Sequence, residues 1–279
     1  MPGTTGGQGE GWLRGFRPPW PPPGVPQLPG MPKLGELFGF SPASVLTDLV
    51  AAVSSSLVGR RVRFRAGGRE VALSLLACAV DPPTLGPLVG QYGTVTVAAD
   101  DVAADPWTFR HLTVLARNAH VQPGEVPVLV AAPVEVRVLV GRDEVDRAVA
   151  RVTGRLRVVV GDDAVARAHL ADHADLGHVE VEPVLDGGSV RLATRSVVVR
   201  GSRRFVAGAR LVPRPAIPLP VVPGLHVTEV ALAPGGVRVA GVVEEWRAPI
   251  RPAQLDRLVR QVRSFTGAAL DLSPFRPPA

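Results

Sequence analysis

The chain has 279 residues, a formal net charge of +6, and 46% hydrophobic residues. This apolar content is enough for a substantial core, so the chain as a whole cannot be disordered. Arginines supply nearly all the positive charge, which is typical of a GC-rich coding sequence, and they are interspersed with 25 acidic residues. Both features argue against a nucleic-acid-binding protein.

Residues 1–40 are rich in Gly and then in Pro, and they lack the basic and then apolar regions of a signal peptide. They would bury too little surface to offset their ordering entropy, so we predict a disordered tail. Its proline run around Trp20 could bind a protein partner. No apolar stretch is long enough to span a membrane, so we expect a cytoplasmic protein, or one bound peripherally at the inner membrane face.

The folded domain is expected at 41–268, followed by a second disordered tail at 269–279. Three segments have the apolar spacing of amphipathic helices. The first follows the capping pair Ser41-Pro42. The second lies at 142–153, and the third begins near Pro252 and ends near Phe265.

Valine-rich segments with period-two alternation fill most of the remaining domain and predict antiparallel strands. The longest runs from 126 to 140 with Val or Ala at every even position, which would give one strand a continuous aliphatic stripe. Pro133 inside it indicates an edge position or a bulge. Many antiparallel strands with helices at the ends and in the middle predict an α+β fold.

Catalytic signatures are missing: the sequence has no nucleophile elbow, P-loop, zinc-protease helix or C-x-x-C pair. We therefore expect a protein that is not an enzyme and has no cofactor. The strongest potential metal ligands are His169 and His173, which would share one face of a helix and could hold zinc with a nearby carboxylate. Their polar, weakly periodic surroundings favour a solvated helix and loop, so we predict no metal site and leave metal binding by this pair as the alternative.

Four segments follow one another in an order that resembles the LmeA-like phospholipid-binding family of actinobacteria. They are WTFRHLTVLARNAHV, the long valine strand, RDEVDRAVARV, and IPLPVVPGLHVTEVALAPGGVRVAG. The likeness covers about residues 43–250. It rests on the helix near 142–153, the LP…PGL segment at 219–225, and the hairpin that ends in GGVRVAG.

This resemblance implies a tubular lipid-binding (TULIP-like) fold, in which a strongly curved antiparallel sheet wraps amphipathic helices and encloses an apolar cavity. It also implies non-catalytic phospholipid binding in support of cell-envelope lipid or glycolipid metabolism. Arginines near the cavity mouth would favour an anionic head group. The proline-stiffened 217–225 segment would shape that mouth.

Period-two spacing selects the residues expected to line the lipid cavity. They are Val128, Val130, Val134, Val136, Val138, Leu219, Val221, Leu225 and Val227. The alternative function is a structural or adaptor protein, in which the valine face is a filled core and the proline-rich tail binds a partner.

Overall fold

The computed structural model describes residues 42–66, 69–81, 91–199, 202–204, 216–219, 222–265 and 270–271. The predicted tail at 1–40 and the predicted cavity residue Val221 lie outside these ranges. The structure is β-rich, and its larger sheet is strongly curled into a half-barrel. Within the described ranges, no helix is long and apolar enough to cross a membrane.

The described helices coincide with the three segments predicted from apolar spacing. They are α1 Pro42–Leu57, α2 Arg142–Thr153 and α3 Pro252–Arg263. Helix α2 ends at Gly154, whose φ of +66° is the left-handed conformation that closes a helix at low cost in glycine. The apolar repeat and the end signal are both local, which is why the sequence could locate this helix.

Within the described ranges, ten strands form the first sheet. They are β1 Arg61–Ala66, β2 Arg69–Asp81, β3 Gln91–Ala104, β4 Trp107–Gln122, β5 Val128–Ala131, β6 Val134–Gly141, β13 Leu225–Ala233, β14 Gly236–Val243, β15 Trp246–Pro249 and β16 Leu270–Asp271. Its main path runs β13–β14–β6–β4–β3–β2–β1–β16, and β5 pairs with β4 and β15. Pairing is antiparallel except between β1 and β16.

Six of the described strands form the second sheet. They are β7 Leu156–Val160, β8 Ala166–Leu170, β9 Gly177–Asp186, β10 Ser189–Val199, β11 Ser202–Arg204 and β12 Ala216–Pro218. The order is β11–β10–β9–β8–β7, and β12 pairs with β10. The segment LDGGS at 185–189 forms the turn of the β9–β10 hairpin, with Gly187 and Gly188 at φ of +51° and +87°.

The valine segment expected to form one strand from 126 to 140 forms two, so that prediction is wrong. Proline has no backbone N–H to continue a ladder, and Pro133 lies between β5 and β6. Both strands pair with β4, but β5 also pairs with β15 whereas β6 also pairs with β14. The even-numbered valines therefore do not share one surface.

The expected solvated helix around His169 is also wrong. Residues 166–170 form β8, in which Ala166 and Ala168 are buried while Arg167 and His169 are less so, a period of two. His173 lies beyond the strand, before a single 3-10 turn. In the part of the chain that the structure describes, no group of three His, Cys, Asp or Glu side chains could hold a metal ion.

A buried cluster beneath α1 and α3 extends into the segment that the sequence assigns to the C-terminal tail. Leu270 of β16 is 6% exposed and pairs with Phe64 of β1. It packs in the same cluster as Val62 of β1 and Val262 of α3. The described strand β16, at 270–271, therefore packs on the domain although it lies within the segment expected to be a tail.

Candidate functional site

A cavity of about 430 Å³ lies between the first sheet, α2 and the second sheet. Valine dominates its wall, and none of the described residues that line it has a charged side chain. The first sheet contributes residues from β2, β3, β4, β6, β13 and β14. Helix α2 contributes Val145 and Ala148, and the second sheet contributes residues from β9, β10 and β12. A space of this size and polarity is typical of sites for small apolar ligands.

One row of aliphatic side chains crosses four neighbouring strands at the cavity wall. Leu112 of β4 pairs with Val138 of β6, Val138 pairs with Val239 of β14, and Val239 pairs with Val230 of β13. Directly opposed residues on antiparallel strands project from the same face of a sheet. All four line the cavity, so the register of these strands builds a continuous apolar surface.

The neighbouring row contains a glycine where two backbones come close. Gly241 of β14 pairs with Val136 of β6 and with Val227 of β13. A Cβ on Gly241 would lie 2.9 Å from the His226 carbonyl oxygen and 3.0 Å from Leu225 Cδ1. The missing side chain lets the start of β13 approach β14, and Leu225 reaches the cavity there.

The proline-rich segment borders the cavity where the cavity reaches the surface. Ile217 pairs with Val190 of β10, and the Leu219 backbone N–H donates to the Gly188 carbonyl at 3.1 Å. A turn follows, in which the Leu225 N–H donates to the Val222 carbonyl at 3.0 Å. Val222 lines the cavity and is 48% exposed, so the cavity opens to solvent beside this turn.

The structure brings together five of the nine residues predicted to line a cavity. They are Val136, Val138, Leu219, Leu225 and Val227. Val128, Val130 and Val134 lie outside the cavity lining, because β5 and the first residue of β6 border other neighbours. Val134 packs instead with Tyr92 and Ala119. Val221 lies outside the described residues, and a role of any of the nine in lipid binding stays a prediction.

Sequence reasoning missed most of the remaining wall. Trp107, Leu112 and Val239 line the cavity although they are far from one another in the sequence. The alternation in β14 could have marked Val237 and Val239 as facing one way. Which strands lie beside β14 depends on long-range pairing, for which the local pattern carries no signal.

A charged cluster adjoins the cavity at Trp107. The Arg151 guanidinium lies over the Trp107 ring, with Cζ 5.0 Å from the ring centroid. Glu144 of α2 is 2% exposed, and its carboxylate accepts hydrogen bonds from Thr108 Oγ1 at 2.7 Å and Arg151 Nη2 at 3.2 Å. Arg147 Nη2 lies 2.9 Å from the same carboxylate. One buried carboxylate thus holds two guanidinium groups beside an aromatic ring of the cavity wall.

An open depression of about 450 Å³ lies against this cluster. Its lining consists of Pro106, Glu144, Arg147, Ala150 and Arg151. The Arg147 and Arg151 side chains are 59% and 49% exposed, so both guanidinium groups remain accessible to solvent. The apolar cavity therefore has a cationic neighbour at the end where Trp107 lies.

The only cysteine shows no sign of activation. Burial raises the pKa of the Cys78 thiol, which disfavours the nucleophilic thiolate. Cys78 lies on β2, where its carbonyl accepts a hydrogen bond from Ser54 Oγ at 2.6 Å. We assign this residue to packing.

Comparison with known proteins gave no match to a family model, to a curated protein or to a solved structure. The apolar cavity and the charged cluster beside it are therefore the grounds on which a function can be proposed.

Proposed function

We propose that this is a non-catalytic lipid-binding protein that holds an acyl chain in the cavity between its two sheets. The uniformly apolar wall of a cavity that opens at Val222 is the observation that carries the proposal. A close-packed core, as the alternative structural or adaptor role assumes, would leave no space of this size. A phospholipid is the ligand class that the LmeA-like resemblance implies, and a role in cell-envelope lipid metabolism follows from the same likeness.

The cavity volume suits one long chain. Benzene occupies an apolar cavity of about 150 Å³, which is about 25 Å³ per carbon atom. On that scale the 430 Å³ found here corresponds to about 17 carbon atoms. We therefore propose that a two-chain phospholipid would place one chain in the cavity and leave the second outside it.

Filling the cavity tests the proposal without adding charge. Val239 lies between Val138 and Val230 in the aliphatic row, so Val239→Phe would occupy the centre of the space. We expect V239F to take up a fluorescent fatty acid about tenfold more weakly, because ring and chain compete for one volume. Its melting temperature should hold or rise, since filling cavities commonly stabilises proteins by about 0.5–2 kcal/mol.

The matched control is Val159→Phe. Val159 lies on a strand, β7, and is 47% exposed outside the cavity lining. V159F adds the same ring and should leave uptake unchanged. Undiminished uptake by a folded V239F variant would show that the ligand does not occupy this cavity.

A further inference from the structure

We propose that Arg147 and Arg151 bind the anionic group, a phosphate or a carboxylate, of an amphiphile whose chain enters the cavity. This inference rests on the proposed function, because it requires an apolar chain in the cavity. It adds a polar subsite and a ligand class, a chain that carries an anion at one end.

The position of the subsite follows from α2 and Trp107. Val145 and Ala148 of α2 line the apolar cavity, while Arg147 and Arg151 of the same helix line the depression next to it. The Trp107 ring lies between the cavity and the arginines, since it forms part of the cavity wall and its centroid is 5.0 Å from Arg151 Cζ. An amphiphile that passes Trp107 would therefore have its chain against Val145 and Ala148 and its anion beside the arginines.

Glu144 holds the two arginines in place without neutralising both. Its buried carboxylate contacts Arg147 Nη2 at 2.9 Å and Arg151 Nη2 at 3.2 Å, and Thr108 ties it to β4. Two guanidinium groups and one carboxylate carry a net charge of about +1. Each guanidinium has about five N–H donors, and one carboxylate cannot use them all.

The arginine N–H groups that Glu144 does not use have the geometry to bind an oxyanion and can be reached from solvent. A guanidinium presents its N–H groups as a planar fork that matches carboxylate and phosphate oxygens. The depression beside the pair measures about 450 Å³ and is open to solvent, so a head group can enter from outside. The excess positive charge attracts an anionic group to this position.

A second glutamate that contacts two arginines lies away from the cavity and the depression. Glu135 accepts from Arg117 Nε at 2.8 Å and from Arg137 Nη2 at 3.1 Å. These three residues lie on β4 and β6, and none of them lines the cavity or the depression. Arg117 and Arg137 therefore provide a matched control for the loss of two arginines that share one glutamate.

The test compares palmitoyl lysophosphatidic acid with monopalmitoylglycerol, which has the same chain and no charge. Each is titrated as a competitor of a fluorescent fatty acid on the full chain. We expect the wild type to bind the phosphate-bearing ligand about tenfold more tightly, the scale of charge-assisted hydrogen bonds. R147Q/R151Q should lose this preference and still bind monopalmitoylglycerol, whereas R117Q/R137Q should keep it.

The possible outcomes distinguish failure of the proposed lipid-binding function from failure of the arginine subsite. Failure of the wild type to bind either ligand would refute the proposed function itself. Equal affinity of the wild type for both ligands, or an unchanged preference in folded R147Q/R151Q, would refute the subsite alone. R151Q, which leaves Arg147 with Glu144, serves as the second variant if the double variant does not fold, and it should reduce the preference.

Inorganic phosphate distinguishes a head group from a free anion. Calorimetric titration of the wild type with phosphate alone should show binding far weaker than that of the lysophospholipid, because the chain contributes most of the affinity. Phosphate that binds as tightly as the lysophospholipid, and only when Arg147 and Arg151 are present, would identify a free-anion site and overturn the inference.

Discussion

Tyr92 is the only tyrosine in the chain and is 1% exposed, beside Ala119 and Val134. Burial disfavours the charged phenolate and raises the pKa of this tyrosine to about 12. A raised pKa in the folded state means that the fold retains a proton which the unfolded chain releases near pH 10. The contribution of this group to stability is therefore complete below about pH 10 and is lost as the pH rises toward 12.

This shift can be measured directly, because no other tyrosine contributes to the signal. We expect ultraviolet difference absorbance of the native protein to give a phenolate midpoint near pH 12. The chain unfolded in denaturant should titrate near pH 10. A native midpoint near pH 10, with the fold intact by circular dichroism, would contradict the buried position of Tyr92.

Val134 and Val136 show how far single residues could be predicted. Period-two spacing correctly indicates that they face the same side of one strand. Val136 lines the cavity and also packs against the cluster around Tyr92, whereas Val134 is 9% exposed within that cluster and does not line the cavity. The alternation determines the face of a residue, but what covers that face depends on elements far away in the sequence.

At the scale of elements, the helices were predictable from the sequence, whereas the strand at 166–170 and the short strand β16 were not. Helices α2 and α3 carry an apolar repeat and local end signals within a dozen residues. Residues 166–170 contain Ala, Arg and His, which have no strong strand preference, and they become a strand by pairing with β7 and β9. Tertiary pairing overrides a weak local preference there.

The burial of Leu270 in the short strand β16 leads to a prediction about the free energy of unfolding. Leu270 is 6% exposed in the cluster of α1 and α3, so Leu270→Ala should lower the free energy of unfolding by about 2–5 kcal/mol. Denaturant unfolding monitored by circular dichroism measures this difference. The matched control is Leu176→Ala, at a position that is 51% exposed, which should change stability by less than about 0.5 kcal/mol.

Equal unfolding midpoints for L270A and L176A would contradict the docking of β16 on β1. A lower unfolding midpoint in L270A, with that of L176A unchanged, would show that the folded domain extends beyond residue 268. The sequence assigns this residue to a tail because a two-residue strand shows no detectable period of its own.

At the scale of the whole molecule, the cavity arises from pairing between distant segments. The row Leu112, Val138, Val239 and Val230 spans β4, β6, β14 and β13. Because β6 and β14 are separated by the entire second sheet in the sequence, local patterns could not predict their register. The β-rich class and the curled antiparallel sheet were predictable, while the TULIP-like assignment stays a prediction.

The two proposed subsites would together give the protein an amphipathic binding surface. The apolar cavity opens at Val222, and its Trp107 end meets the guanidinium groups of Arg147 and Arg151. A ligand that satisfies both has one long chain in the cavity and an anionic group outside it. If the proposed function holds, a volume of about 430 Å³ leaves room for one such chain per protein.

Native mass spectrometry of the freshly purified chain, followed by denaturing extraction and lipid identification, tests the central proposal most directly. We expect one acyl-bearing lipid per chain in the wild type and a clearly lower lipid load in V239F, in line with its about tenfold weaker binding. Protein without bound lipid after purification should acquire one lipid from phosphatidylglycerol vesicles. A bare wild-type mass that persists after exposure to those vesicles, or an equal lipid load in folded V239F, would contradict the assignment of the cavity to an acyl chain.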